Sequence, residues 1–313
     1  HSLDDGIPYY PTLTAIAEDR FVAGHLYAGT DDGLLQVSTD DGNTWTIVSD
    51  KLPGLPKDSW INTIEVSSHH AGTAYVAINN YRNNDFNNYI YKTSNGGKTW
   101  ESVAGDLPAN RVARVLREDP KNPDLLYLGT ELGLFVSFNG GKNWVELKNN
   151  MPTLPFNDLV IHPRDNDLIL ASHGRGVWIL DNLSALQEIG SQRHQKMALF
   201  SIADAEMVNR NIGGAHTGDM YYRGENPRYG AAIDYYLRDS VDAGKLKLTI
   251  HDMAGNELAE VNTSGKAGIH RTYWNFRGPD FKAMNSDPNS NRRGRGFGLS
   301  GPEVIPGLYK ARL

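Results

Sequence analysis

The sequence contains no cysteine, which excludes disulfide scaffolds, thiolate metal sites and cysteine nucleophiles together. It has no apolar run approaching the roughly 18 residues that a membrane span needs. Basic charge is also short. With 31 Lys+Arg against 37 Asp+Glu the formal net charge is -6, so the chain lacks the footprint of a nucleic-acid binder. No Ser-His-Asp order, His-x-x-x-His pair or phosphate loop occurs. Asp/Asn-rich turns could attract calcium, but their spacing fits no EF-hand or repeat-in-toxin pattern, so neither metal nor cofactor is expected. What is abundant is glycine, with 32 residues, alongside 15 Tyr and 6 Trp in 313 residues. Glycine-rich turns between aromatic strands predict an all-β protein, and the length suggests two domains of about 150 residues each.

Self-similarity gives the architecture. Ser38-Thr39-Asp40-Asp41-Gly42-Asn43-Thr44-Trp45 returns as Thr93-Ser94-Asn95-Gly96-Gly97-Lys98-Thr99-Trp100 and again as Ser137-Phe138-Asn139-Gly140-Gly141-Lys142-Asn143-Trp144. Asp or Asn tolerates the left-handed region, Gly supplies positive φ and Ser/Thr locks a tight hairpin. The Trp is expected to pack between neighbouring sheets. Around each turn the same strands recur: Leu13 to Ala17, His25 to Thr30, Leu34 to Ser38 and Trp45 to Val48 in the first copy. A fourth copy, through Asp158-Leu159-Val160-Ile161 and Val177-Trp178-Ile179-Leu180, lacks the turn and reads as a last blade.

The three turns, with structural positions Asp40, Gly42, Trp45, Asn95, Gly97, Trp100, Asn139, Gly141 and Trp144, resemble the Asp-box, or BNR repeat, of bacterial β-propellers. The wider pattern, including Tyr127 to Phe135 and Ser172 to Asp181, is similar to large secreted proteins described as BNR-repeat glycosyl-hydrolase-like or sortilin-propeller-like. The resemblance implies an Asp-box propeller and a secreted, periplasmic or cell-surface location. It implies no activity by itself, because the Asp-box of sialidases and xyloglucanase-type enzymes sits away from the catalytic centre. Two departures stand out: a chain without Cys cannot carry the cysteine-rich modules of sortilin receptors, and no sialidase-like arginine motif appears. Four blades are few for such a propeller, so residues 1-192 are read as the C-terminal part of a larger one, beginning at His1 to Asp5 in an inter-blade connection.

Ser191 to Lys196 reads as a linker. Beyond it, residues 193-313 alternate in strands such as Gly230 to Leu237, Lys245 to Asp252, Gly268 to Asn275 and Gly307 to Leu313, separated by Gly/Asn turns. That pattern describes a β-sandwich and resembles the Ig-like or fibronectin-III-like module that follows propellers in this family. Asn291-Arg292-Arg293-Gly294-Arg295-Gly296 is a basic run that reads as a solvated loop for want of an aromatic platform beyond Phe297. The sequons at Asn182 and Asn262 carry little weight in a chain of bacterial character.

Hairpins alternate ends, so the connections between second and third strands lie opposite the Asp-boxes. Asp31-Asp32, Asn79 to Asn88, Glu131-Leu132 and His173-Gly174-Arg175 therefore converge on one mouth. The second is longest and carries Tyr81, Arg82, Asp85 and Phe86, giving rings for stacking and amides for hydroxyls. With His173 and Arg175, the residues Tyr81, Arg82 and Phe86 are the candidate ligand contacts. Asp31, Asp32, Asp85 and Glu131 are candidate catalytic carboxylates, since glycosidases need two about 5 to 9 Å apart. Each has a plainer reading: Asp31-Asp32-Gly33 as a favoured hairpin turn, Glu131 as an exposed turn, Arg175 as a ring-closing contact to carbonyls. The preferred function is an extracytoplasmic protein binding a glycan or protein at this mouth. The alternative is a glycoside hydrolase using paired carboxylates there. An unclosed four-blade arc also exposes strand edges, which predicts completion by another chain or segment unless the four blades close alone.

Overall fold

In a computed structural model the described residues are 11–148, 150–208, 228–279 and 301–313. The opening His1 to Asp5 and the basic run at 291–296 lie outside them. The chain divides into two compact units, His1–Leu183 and Ser184–Leu313.

The first unit is four consecutive antiparallel meanders. Blade one comprises β1 (Leu13–Glu18), β2 (Leu26–Thr30), β3 (Leu35–Ser38) and β4 (Thr46–Ile47). Blade two comprises β5 (Trp60–Val66), β6 (Ala74–Asn80), β7 (Asp85–Thr93) and β8 (Glu101–Ser102). Blade three comprises β9 (Ala113–Glu118), β10 (Leu126–Thr130), β11 (Gly133–Ser137) and β12 (Val145–Glu146). Blade four has three strands, β13 (Phe156–Ile161), β14 (Leu168–Ser172) and β15 (Val177–Leu180). Strand order follows chain order in each of these four sheets.

Period-two alternation would leave one face of each strand wet, yet every residue of β6 is buried. The blades stack face to face, which is why. Tyr27, Leu35 and Val37 of blade one pack with Ile61, Ile64, Val76, Ile78 and Tyr91 of blade two. The opposite face of blade two, through Tyr75, Ala77 and Ile90, packs with Leu116, Leu126, Leu128 and Phe135 of blade three. The glycine ending the second strand permits this approach: a Cβ on Gly29 would lie 2.5 Å from Ile61 Cγ2, and one on Gly129 would lie 2.9 Å from the Phe156 carbonyl oxygen. The first strands of successive blades, β1, β5, β9 and β13, touch one after another. Among the described residues the first and fourth blades make no comparable contact.

Each turn motif closes by the same bonds. In blade three the Gly141 N–H donates to Ser137 Oγ at 2.8 Å, the Ser137 hydroxyl donates to Asn139 Oδ1 at 3.1 Å, and the Asn143 N–H donates to the same oxygen at 2.9 Å. Thr93, Asn95, Gly97 and Thr99 repeat this pattern, as do Ser38, Asp40, Gly42 and Thr44. In the first turn, hydrogen bonds from Thr44, joined by Ser38, hold the Asp40 carboxyl below its ordinary range. The tryptophans differ from expectation. Trp100 and Trp144 are each 7% exposed and sit in the cores between blades one and two and between two and three, but Trp45 is 38% exposed. The Trp of a blade packs against the blade before it. The indole of Trp45 donates to the Gly42 carbonyl within its own turn at 2.9 Å.

The second unit begins with a helix, α1 (Ser184–Gln192), ahead of the boundary expected at 192; the start of the polar linker is the end of this helix. Among the described residues two three-stranded sheets follow. One is β16 (Met197–Leu199), β17 (Ala231–Leu237) and β20 (Gly268–Trp274), the other β18 (Leu248–His251), β19 (Glu257–Val261) and β21 (Lys310–Arg312). Ala231, Ile233 and Trp274 from the first share a core with Leu248, Ile250 and Val261 from the second. Buried Asp234 is held by Arg271 through two bonds of 2.7 Å.

Candidate functional site

The connections between second and third strands lie at one end of the blades, beside the blade-to-blade links. The Asp31 N–H donates to the Thr12 carbonyl, the Glu131 N–H to that of Val112 and the His173 N–H to that of Pro155. The three turn motifs lie with the first-to-second connections: Asp41 N–H donates to Gly24, Gly96 to Gly72 and Gly140 to Asp124.

At the rim, blades two and three build a continuous array of rings and guanidinium groups. The segment 79–88, expected as a long loop, is a hairpin in which β6 and β7 pair as far as Asn80 and Asp85. Only Tyr81 to Asn83 form a single 3₁₀ turn, closed by Asn84 in the left-handed region at φ 58°. This short turn lifts Arg82 over the Trp60 ring, 4.1 Å from its centroid, and sets Tyr81 under Arg114, whose guanidinium carbon is 4.9 Å from the Tyr81 centroid. Arg114 in turn is ion-paired with Glu131. Below them Asn79 donates to Asn62 Oδ1 at 2.7 Å and Asn62 to the Ala113 carbonyl at 3.0 Å. The Asn79 side-chain oxygen, Oδ1, is buried without a hydrogen bond. Phe86 is 44% exposed on the same hairpin.

The four carboxylates considered as catalytic are each committed elsewhere. Asp31 is buried and accepts the Thr12 N–H at 2.8 Å, while Asp32 accepts the Thr30 hydroxyl within its own hairpin. Asp85 accepts from Asn80 at 2.9 Å, Tyr89 at 2.7 Å and Asn87 at 2.8 Å. Burial raises its proton affinity, but these bonds outweigh it and hold the carboxyl below the usual range. Glu131 is the partner of Arg114. None of the four lines the cavities of about 200 Å³ beside Gly133 and Met151 or about 630 Å³ within the second unit. His173 and Arg175 are exposed, on a turn whose Gly174 and Gly176 both have positive φ.

Sequence reasoning passed over Trp60, Arg114 and a second group on the inner strands. Arg117 of β9 reaches Asp158 of blade four at 2.8 Å and Glu65 of blade two at 3.4 Å, and donates from Nε to the Leu159 carbonyl at 2.8 Å. Burial pushes Glu65 up to about 7, against the lowering effect of Arg117. These partners stand 41 to 52 residues apart in the chain. The signal present was charge within largely apolar first strands, at Glu65, Arg117 and Asp158. Among the described residues no group of three or more His, Cys, Asp and Glu could hold a metal ion, and no helix is long and apolar enough to cross a membrane.

Comparison with known proteins places these features. Residues 33–176 match the family model described as Sortilin-Vps10: sortilin, neurotensin receptor 3. A xyloglucanase of Hypocrea jecorina (strain QM6a) is 28% identical over 149 residues, which are 44% of this chain and 16% of that protein. The chain thus spans about a sixth of that relative. Among solved structures, YCF48 from Cyanidioschyzon merolae is 18% identical at a TM-score of 0.42, over 56% of each chain. The GH74 xyloglucanase from Xanthomonas campestris is 14% identical at a TM-score of 0.42, over 80% of this chain and 36% of that one. The all-β architecture, the match to the sortilin family model over residues 33–176 and the xyloglucanase relative together support a BNR-type β-propeller.

Proposed function

We propose that the propeller unit is an extracytoplasmic glycan-binding module, its turn motifs being Asp-boxes and its ligand lying on the opposite rim along blades two and three. The observation that carries this reading is the Tyr81–Arg82–Phe86 hairpin. It offers an exposed ring on Phe86, an aromatic edge on Tyr81 and the exposed amides of Asn83, Asn84 and Asn87, a mixture suited to stacking on sugar faces and bonding hydroxyls. Asn83 is steadied by Asn80 at 2.7 Å and Asn87 by Asp85, so the surface is preorganised. The second unit, read as an Ig-like sandwich, serves as a spacer. Binding of the chain to a glycan array, with Phe86→Ala and Tyr81→Ala in parallel, tests this. Retention of a glycan that both variants lose supports the module; no retained glycan, or retention indifferent to both changes, overturns it.

Glycoside hydrolysis is the second reading, favoured by the xyloglucanase relative. Against it stand the turn and ion-pair duties of Asp31, Asp32, Asp85 and Glu131. Release of reducing sugar from xyloglucan, abolished by Glu131→Gln or Asp85→Asn in a folded chain, would restore it.

A further inference from the structure

Each first strand of the propeller unit carries one bulged residue at its entry, Thr14, Asn62, Arg114 and Asn157 in turn, where the pairing with the second strand skips a position. A bulge re-aims the side chain it holds. In blades one and two that side chain ties its blade to the next: the Thr14 hydroxyl donates to the Ile61 carbonyl at 2.7 Å and the Asn62 amide to the Ala113 carbonyl at 3.0 Å. Phe156 stands on blade four where Ile61 and Ala113 stand on theirs, yet among the described residues Arg114 makes no bond to it. Arg114 turns the other way, over the Tyr81 ring of blade two and onto Glu131, and its Nε is buried without a partner. Blade three thus carries a cation where blades one and two carry a short staple.

A second guanidinium belongs to the same rim. Arg111, just ahead of β9, donates its N–H to Asn88 Oδ1 of the hairpin at 3.1 Å and lies over Phe135, 5.9 Å from the ring centroid. Its Nε is also buried without a partner. Arg82, over Trp60, is the third cation. Two carboxylates share this rim. Asp85 is taken up by Asn80, Tyr89 and Asn87. Glu131 is bonded to Arg114, and that pair keeps contact with water, its side chains being 22% exposed at Arg114 and 30% at Glu131. A pair so solvated is held weakly, so a second carboxylate can take the place of Glu131.

We propose that the ligand of this rim is an acidic glycan, a chain containing hexuronic acid, whose carboxylate Arg114 receives in place of Glu131 while Arg82 and Arg111 add positive potential. The inference rests on the glycan-binding reading and adds the charge of the sugar to it. A guanidinium and a carboxylate match as two parallel charge-assisted bonds. Arg114 already holds a carboxylate, which is why that group and not a sulfate ester is assigned. In the unliganded protein Glu131 stands in for the acid group and keeps Arg114 in position.

Titration calorimetry with oligomers of galacturonate, glucuronate and mannuronate, each beside its methyl ester, tests the proposal. At least one acid is expected to bind about tenfold or more tightly than its ester, the worth of a charge-assisted bond, and to weaken as salt rises. Arg114→Gln should bring acid and ester to equal affinity, with Arg114→Lys between it and the parent. Glu131→Gln, which releases Arg114, should tighten the acid more than the ester. Thermal unfolding of each variant is the folding control; if Arg114→Gln does not fold, Glu131→Gln decides, and a loosened acid overturns the proposal. Equal binding of acid and ester by the parent overturns it and leaves the glycan-binding reading standing where Phe86→Ala weakens both. Binding of none of the three acids, or a preference for acid that survives Arg114→Gln, also overturns it. A preference lost in Arg114→Gln but kept in Phe86→Ala and Tyr81→Ala supports the charge and removes the stacking reading.

Discussion

Glu65 gives a prediction with both sign and size. Its carboxyl is buried on β5, with Arg117 as a distant partner at 3.4 Å, and burial lifts it from 4.5 to about 7. The folded chain therefore holds this proton more tightly than the unfolded chain does. The stability it contributes is fully present below pH 4.5 and disappears as the pH rises through 7. At 1.36 kcal/mol for each pH unit of difference, the span is about 3 kcal/mol. Glu65→Gln keeps a neutral group of the same shape, so the parent and variant should converge near pH 4.5 and separate above pH 7. The variant is then the more stable by about 2 to 3 kcal/mol. Urea unfolding followed by tryptophan fluorescence at pH 5 and pH 8 measures the difference. A variant equal to the parent at pH 8, or less stable than it, would refute the reasoning, because Arg117 would then be outweighing desolvation. Arg117→Ala, by removing the group that favours the carboxylate, should move the pH at which stability falls still higher.

Three further outcomes follow from the turns and junctions. Ser137→Ala leaves the Gly141 N–H, buried in its turn, without its acceptor and should cost about 1 to 3 kcal/mol of unfolding free energy. Gly141→Ala should destabilise by more than about 1 kcal/mol, since φ is 90° and a Cβ there would lie 2.7 Å from Val103 Cβ. Gly174→Ala, with nothing within 4 Å, bears only the conformational cost of its positive φ; denaturant midpoints of the two variants test the order. Trp144→Phe loses the indole bond to Val103 inside the core and should be more costly than Trp45→Phe, a comparison that thermal unfolding decides.

The turns could be read from the sequence because their bonds are local: Ser137, Asn139, Gly141 and Asn143 lie within one motif, and residue type determines the geometry. The blades followed from strand order. The burial of Trp100 and Trp144 and the exposure of Trp45 could not be read in the same way, because a tryptophan is buried by a neighbouring sheet and not by its own turn. The hairpin at Tyr81 was masked by its asparagines, which suit loops by propensity; here pairing of β6 with β7 overrides that preference. Arg114 with Tyr81, and Arg117 with Glu65 and Asp158, join different blades, so a pattern read along one strand shows the charges without their partners. The Asp and Glu residues of the rim were visible as residues, whereas the hydrogen bonds that occupy them were not.

The central claim is that ligand binding belongs to the rim of blades two and three, opposite the turn motifs. Hydrogen exchange of the chain with and without a saturating glycan measures this residue by residue. The account predicts slowed exchange across 79–89, with further protection near Arg114 and Glu131, and unchanged exchange at 38–45, 93–100 and 137–144. Protection confined to those three turns, or to the second unit, would contradict it.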